Sequence, residues 1–459
     1  MTQAMKSVNS LEQYLEFYRE NEKDIKSDSP DYVNVLRDKA FKRLEKMLFP
    51  DTKVEGYEKT SINEMFSPNL GINLKGLDLI SQSMISGCGV TTLQAIRVIV
   101  HNDVVVRISL PHGMSSMPDG LTVMPLKRAW TEFADDVKQF LQSSESTDDT
   151  MSLLNLLLLG DGVYIKISPN TNIEVPIQIV NYAGGNIPML ATRRLLIDAQ
   201  NASSVKILSC QHSVADEQIV NLVNEVVQIS AGEEAGVEYV SMEESARSSR
   251  RISQLVAYQS AHSSLKVGSI TLVNGSTRNN FAVFTDGDHT KTSINGLVIG
   301  NGTSHTDNYT YVSHSKQHGF SSQLFKYVLD DESKGVFQGR IVVEKDSRFN
   351  EAYQTNRNIV ASKGGRMYSK PQLLIYNDDV KCSHGATTGQ LDTRALFYMQ
   401  TRGIPLDEAR SMLMQAFMAD VIDKFELHGF TARLGHLVEQ RLRGENLLCK
   451  NCLMNQSNG

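Results

Sequence analysis

The sequence predicts a mainly β chain in which a coiled stack of strands lies between helical ends, and three observations carry that expectation. Short β-rich runs recur at roughly ten-residue intervals between Val163 and Val380, punctuated by Gly, Asn and Asp. Apolar residues at three-and-four spacing mark helices before and after that stretch. The chain has 459 residues, of which 41% are hydrophobic and 21% charged, enough for one large body with flanking regions and unlike a disordered composition.

The opening region, residues 1–160, reads as helical with some mixed structure. Tyr32, Val35, Leu36, Ala40, Leu44, Met47 and Leu48 follow an Asp28-Ser29-Pro30 start signal, and Pro50 closes the run. Val104 to Leu110 resembles a strand, Asp119-Gly120 a turn and Leu126 to Leu141 a helix; after a polar run, Met151 to Leu159 reads as a buried helix ending at Gly160.

The β region, 161–390, includes Val163 to Ile167, Ile173 to Val180, Val205 to Leu208, Ile270 to Val273, Phe281 to Phe284 and Leu297 to Ile299. Such runs fit a sandwich, a barrel or a solenoid. Their extent favours the solenoid, because a coil stack grows simply by burying each new coil on its neighbour. Met242 to Ser263, with Arg247, Arg250 and Arg251, reads as a polar helical insertion on the surface.

The last region, 391–459, returns to helices. Asp392 is placed as an N-cap and Gly403 as a stop; Pro405 opens a second helix with Asp407 and Glu408 in its first turn. Its stripe of Ala409, Met412, Leu413, Ala416, Phe417 and Val421 is widened by Met414, Met418 and Ile422, which suits either ordinary core or a docking face.

A net charge of −6 supplies no basic field, so nucleic acid is not expected as a main partner. Met1 to Glu20 lacks a signal-peptide pattern, and the longest apolar run, Leu153 to Leu159, is too short to span a bilayer, so a cytoplasmic location without a membrane is expected. Five scattered cysteines, Cys88, Cys210, Cys382, Cys449 and Cys452, do not describe a disulfide framework. The chain contains no Gly-x-x-x-x-Gly-Lys-Ser/Thr run to cradle nucleotide phosphates, and neither the His-Glu-x-x-His nor the Gly-x-Ser-x-Gly pattern of hydrolases.

Two clusters hold chemistry. Cys382 and His384, two positions apart on an extended segment, leave the same side and could offer a soft thiolate and an imidazole to iron or zinc. On residue types alone the plainer reading, a buried thiol beside a hydrogen-bonded histidine, outweighs it. His305, Asp307, His314 and His318 form a second set with a spacing that adjacent coils can gather, although solvated histidines explain it more simply. The tail pair Cys449 and Cys452 has Cys-x-x-Cys spacing but no second pair.

The stretch from Lys370 to Asp392, running through Lys381-Cys382-Ser383-His384-Gly385, closely resembles the signature of SufD members of the SufB/SufD family. The resemblance extends upstream through His305-Thr306-Asp307, Val328 to Asp331, Gly335-Val336-Phe337-Gln338-Gly339 and Gln354-Thr355-Asn356, and downstream through Ala395 to Tyr398 and Thr401 to Ile404. It departs mildly at Leu374, Asn377 and Thr388. Gly385 stands where SufB chains carry Glu, and Ala361 to Arg366 lacks the cysteine of SufB, which places the chain on the SufD side.

The resemblance implies a right-handed parallel β-helix between helical terminal regions. It implies a scaffold rather than an enzyme, pairing with the SufB paralogue and docking the SufC ATPase. A transient iron-sulfur cluster or iron shared with SufB would meet His384, with Cys382 as a supporting group. The ATPase would meet the C-terminal helices, with Phe397, Tyr398, Met414 and Met418 as the residues to inspect. A reduced flavin in the full complex and a homodimer of the isolated chain stay open. The rival expectation is a carbohydrate-active β-helix enzyme using Asp330-Asp331 or Asp378-Asp379, although adjacent acids on a strand point to opposite faces.

Overall fold

Strands in the middle of the chain are buried almost continuously, because one face lines the coil interior and the other lies largely under helices. In the computed structural model, which describes residues 9–76, 93–213, 218–427 and 429–444, the β runs form two ten-stranded sheets. Strands go alternately to one sheet and the other, from Asp161–Ile167 and Ile177–Ala183 to Arg366–Ile375 and Lys381–Gly389. Pairing along the stack is parallel, and each coil takes about 30 residues, within the range of solenoid repeats. The sheets begin before residue 161: Ile96–His101, Val104–Ser109 and Leu121–Pro125 join them, with antiparallel pairings only at this end.

Inward positions stack identical chemistry coil upon coil. Ile197, Ile229, Ala257, Val283, Val312 and Ile341 stand in register, each fully buried. Burying one such branched side chain stabilises by about 1.5–3 kcal/mol, so the ladder fixes register as well as the core.

Coil corners solve a backbone problem that glycine usually solves. Ala202, Glu234, His262, His289, His318 and Phe349 have φ values of 54–60°, in the left-handed region. Each donates its backbone N–H to a carbonyl of the next coil, as in His262 to Asp288 O at 2.8 Å and His289 to Gln317 O at 3.0 Å. The inter-coil bond offsets a strain of about 1–2 kcal/mol per residue. The exposed rings stack along this corner, with His289 and His318 centroids 4.6 Å apart.

The segment 242–263 corrects the expectation of a surface helix. It holds the end of strand Gly236–Glu244, a turn, and strand Arg250–Gln259. Arg251 goes inside because neighbouring coils supply a partner, whereas Arg247 stays exposed: Arg251 Nη2 lies 2.6 Å from Glu225, which also meets Arg193 at 3.2 Å, and these three are buried. A buried charge is tolerated only when paired in this way.

Helices cover both outer faces. Leu11–Ser27, Asp31–Leu44, Leu126–Glu132, Ala134–Glu145 and Thr150–Leu157 form an apolar cap whose core reaches Leu190, Leu196, Leu222 and Ile252 of one sheet. The helix expected over Leu126 to Leu141 is broken at Phe133, and the Thr150–Leu157 helix is wholly buried. Asn155, which interrupts that apolar run, donates to the carbonyls of Arg193 and Asn224 at 3.0 and 2.9 Å and so pins the helix to the sheet. On the other sheet, Leu208, Val240, Ile270 and Leu297 lie under helices Leu406–Ile422 and Phe430–Leu442. Among the described residues no helix is long and apolar enough to cross a membrane.

Candidate functional site

Among the described residues the coil stack stops without a cap. Arg366–Ile375 and Lys381–Gly389 end the two sheets, and the residues of the second strand are exposed except for half-buried Cys382. A sheet edge that presents unpaired backbone groups is a template for another chain. At this edge the strand Lys381–Gly389 pairs back with Glu351–Val360, which places Cys382 over Ala352 and His384 over Gln354. Ala352 and Gln354 are 0% and 1% exposed, so both Cys382 and His384 stand on the inward face, at the open mouth of the interior.

The two groups have different surroundings. Cys382 packs against the buried cluster of Ile341, Val343 and Ala352. Burial pushes its thiol pKa up, only partly countered by a backbone hydrogen bond from Ala352, so the thiol form is favoured over the thiolate. His384 is exposed. A surface imidazole beside a half-buried thiol is half a coordination sphere, and iron or a cluster held here needs ligands from a second chain. Among the described residues no three His, Cys, Asp or Glu side chains are grouped to hold a metal ion.

The second cluster disperses. His305 Nε2 and the Asp307 carboxylate both meet the Thr60 hydroxyl, at 2.8 and 2.5 Å, but Asp307 is also bonded to the buried guanidinium of Arg278. His318 lies in the corner stack between His289 and Phe349. His314 points inward, 2.8 Å from Ser321 Oγ, and burial holds its pKa down at about 4. A histidine kept neutral in the fold contributes stability that is complete above its unfolded pKa of about 6.5 and is lost as the pH falls toward 4. The unfolding free energy should therefore drop by about 3 kcal/mol more across that window than in His314→Gln. Urea melts at stepped pH measure this, and parallel curves for the two proteins would refute it.

Among the described residues the helical tail has one face without cover. Helix Thr393–Thr401 starts at Asp392, whose carboxylate accepts the Arg394 N–H at 2.8 Å, and is followed by Gly403 at φ 86°. It buries none of its residues; Phe397 and Tyr398 are 69% and 59% exposed. Met414 and Met418, by contrast, are buried on the sheet among Val328, Val421 and Phe425, so they hold the helix rather than present a surface. Removing the tail would strip cover from that sheet face. Cys210 is buried in the same cluster, while Cys88, Cys449 and Cys452 lie outside the described residues.

Of the paired acids, Asp330 and Asp331 cap a corner. Asp331 accepts the Gly302 N–H at 2.8 Å, and Asp330 accepts that of Asp331 at 2.9 Å. Sequence reasoning missed Gln354 beneath His384 and the interior ion pairs around Glu225. For Gln354 a signal was present, since it lies in a quoted motif, but its place in the interior depends on inter-coil register.

Comparison with known proteins adds a family. The profile described as "SUF system FeS cluster assembly, SufBD core domain" matches residues 180–417, and that of the "SufBD protein N-terminal region" matches 8–179. An iron-sulfur cluster assembly SufBD family protein of Synechocystis sp. is 27% identical over 338 residues, 71% of this chain and 74% of that one. The iron-sulfur cluster assembly protein SufD of Escherichia coli is 34% identical over 184 residues, 40% and 42% of the two chains. SufD of Bacillus subtilis is 25% identical over 311 residues, 67% and 70%.

Proposed function

Because the chain belongs to the SufBD family of the SUF iron-sulfur cluster assembly system, and is SufD-like within it, we propose that it is a non-catalytic scaffold that pairs with a SufB paralogue and docks the SufC ATPase. The observation that carries the reading is the open last coil. Its exposed edge strands leave backbone donors and acceptors for a second solenoid of the same kind, and His384 stands at the edge where such a chain would arrive. Iron or a nascent cluster is cargo at this junction, held by His384 together with thiolates of the paralogue, and Cys382 supports the site by packing. Partial ligation from each side lets the cluster leave when the interface opens.

The reading leaves nucleotide hydrolysis to the partner, in keeping with a sequence that has no phosphate-binding loop of the Gly-x-x-x-x-Gly-Lys-Ser/Thr kind. Docking of that partner falls to Phe397 and Tyr398, large rings on a helix that lacks a buried face of its own. These properties fit work in the cytoplasm. The carbohydrate-enzyme reading has no comparable support, since Asp330 and Asp331 already cap a corner.

Co-expression with SufB and SufC candidates, followed by anaerobic co-purification, tests the assignment. The wild-type chain should retain both partners. Phe397→Glu should lose the ATPase by about tenfold or more, the effect of removing an interface anchor, while keeping the paralogue. Full ATPase retention by Phe397→Glu refutes the docking surface, and failure of the wild type to retain the paralogue refutes the pairing.

A further inference from the structure

The inward column below His384 contains an unanswered acceptor. Gln354 is 1% exposed, and its Nε2 donates to Gln323 Oε1 at 3.1 Å; the same oxygen accepts the Thr310 hydroxyl at 2.7 Å. That leaves Gln354 Oε1 buried and without a partner. A buried polar atom left unpaired costs about 1–3 kcal/mol, so a structure that keeps one requires a reason. The residue in register with Gln354 on its open side is His384, one strand spacing of about 4.8 Å away.

Gly339 shows that this column is built. A Cβ at that position would stand 2.0 Å from Gln354 Nε2 and 2.6 Å from its Cδ, so the carboxamide lies directly over the glycine of the facing sheet. Both Gly339 and Gln354 belong to sequence motifs that nothing in the docking or the cargo reading uses.

We propose that Gln354 is a positioning residue for His384: its free Oε1 accepts the imidazole N–H and leaves the other ring nitrogen as the ligand atom. The inference rests on the reading of His384 as a cargo ligand and gives that site its orientation. A neutral imidazole has one donor and one acceptor nitrogen, so fixing the donor on Gln354 selects the tautomer and aims the lone pair. Ligating histidines commonly donate their second nitrogen to a carbonyl or carboxylate oxygen, which raises their basicity and fixes the ring. Thr310, Gln323 and Gly339 in turn hold the Gln354 carboxamide.

Nitrogen-15 NMR of the full-length, iron-free chain, labelled at the histidine rings and recorded well above the ordinary histidine pKa, tests this directly. His384 should show one tautomer in about tenfold excess, the bias that a net hydrogen bond of ordinary strength gives. Gln354→Met, which keeps the length and removes the acceptor, should return the His384 ratio to that of free histidine. A wild-type ratio already equal to free histidine overturns the proposal without any variant, as does a variant that keeps the wild-type bias. If Gln354→Met fails to fold, the wild-type ratio decides, and Gly339→Ala, which displaces the carboxamide, should relax the same signal. Since the measurement contains no iron, its failure removes Gln354 from the site and leaves the ligand role of His384 to be judged on cluster content alone.

Discussion

His384→Ala is expected to leave the chain folded and able to assemble with its partners while the iron and sulfide content of the anaerobically purified complex falls by about tenfold or more. The two halves of that expectation have separate causes. His384 is exposed on the last strand, and its removal takes from the fold no more than the one hydrogen bond to Gln354, about 1–3 kcal/mol against a total stability of about 5–15 kcal/mol. Loss of even an outer-shell partner of a metal ligand costs about 10–100-fold in affinity, so loss of the ligand itself should not cost less. Iron and acid-labile sulfide assays on the co-purified complex read the result. Unchanged content in an intact complex would place cluster chemistry wholly on the partner and eliminate the ligand role.

Glu225→Ala should be the most damaging single substitution in the interior, lowering unfolding free energy by about 3–5 kcal/mol. Glu225 accepts from Arg193 at 3.2 Å and Arg251 at 2.6 Å, and also from Gln211 at 3.1 Å. Burial alone would push its carboxyl pKa up, but Arg251 and Arg193 outweigh this and hold it at about 2. Removing the carboxylate leaves two guanidinium groups, each 3% exposed, that cannot discharge by losing a proton. Denaturant melts at neutral pH measure the change, and a loss below about 1 kcal/mol would mean that Glu243, already 3.8 Å from Arg251, compensates the arginine charge. Glu225→Gln should lose less, because the amide keeps one acceptor oxygen for one of the two guanidinium groups, whereas its NH2 faces the other.

Local chemistry made much of the architecture legible. Pro30 and Pro405 precede helices, Asp392 caps one and Gly403 follows it, because each acts on backbone groups within a few residues. Strand periodicity likewise put Cys382 and His384 on one face, since alternation needs no knowledge of the neighbouring strand. Resemblance in residues 305–404 then gave the family, and the comparisons agree with it.

What local chemistry could not decide depends on pairs about 30 residues apart, one coil of the solenoid. Arg251 reads as a surface charge until Glu225 arrives from the preceding coil. Ala202, Glu234 and His262 carry no mark of a left-handed corner, because their strain is relieved by carbonyls of the next coil. Met414 and Phe397 are both apolar residues on helices, and only the position of the sheet buries the first and leaves the second outside. The same holds at the site: the sequence alone determined which residues could handle iron and that two of them share a face, whereas inter-coil register decided that one is exposed at the open end, that the other is half-buried beside it, and that a glutamine acceptor waits beneath.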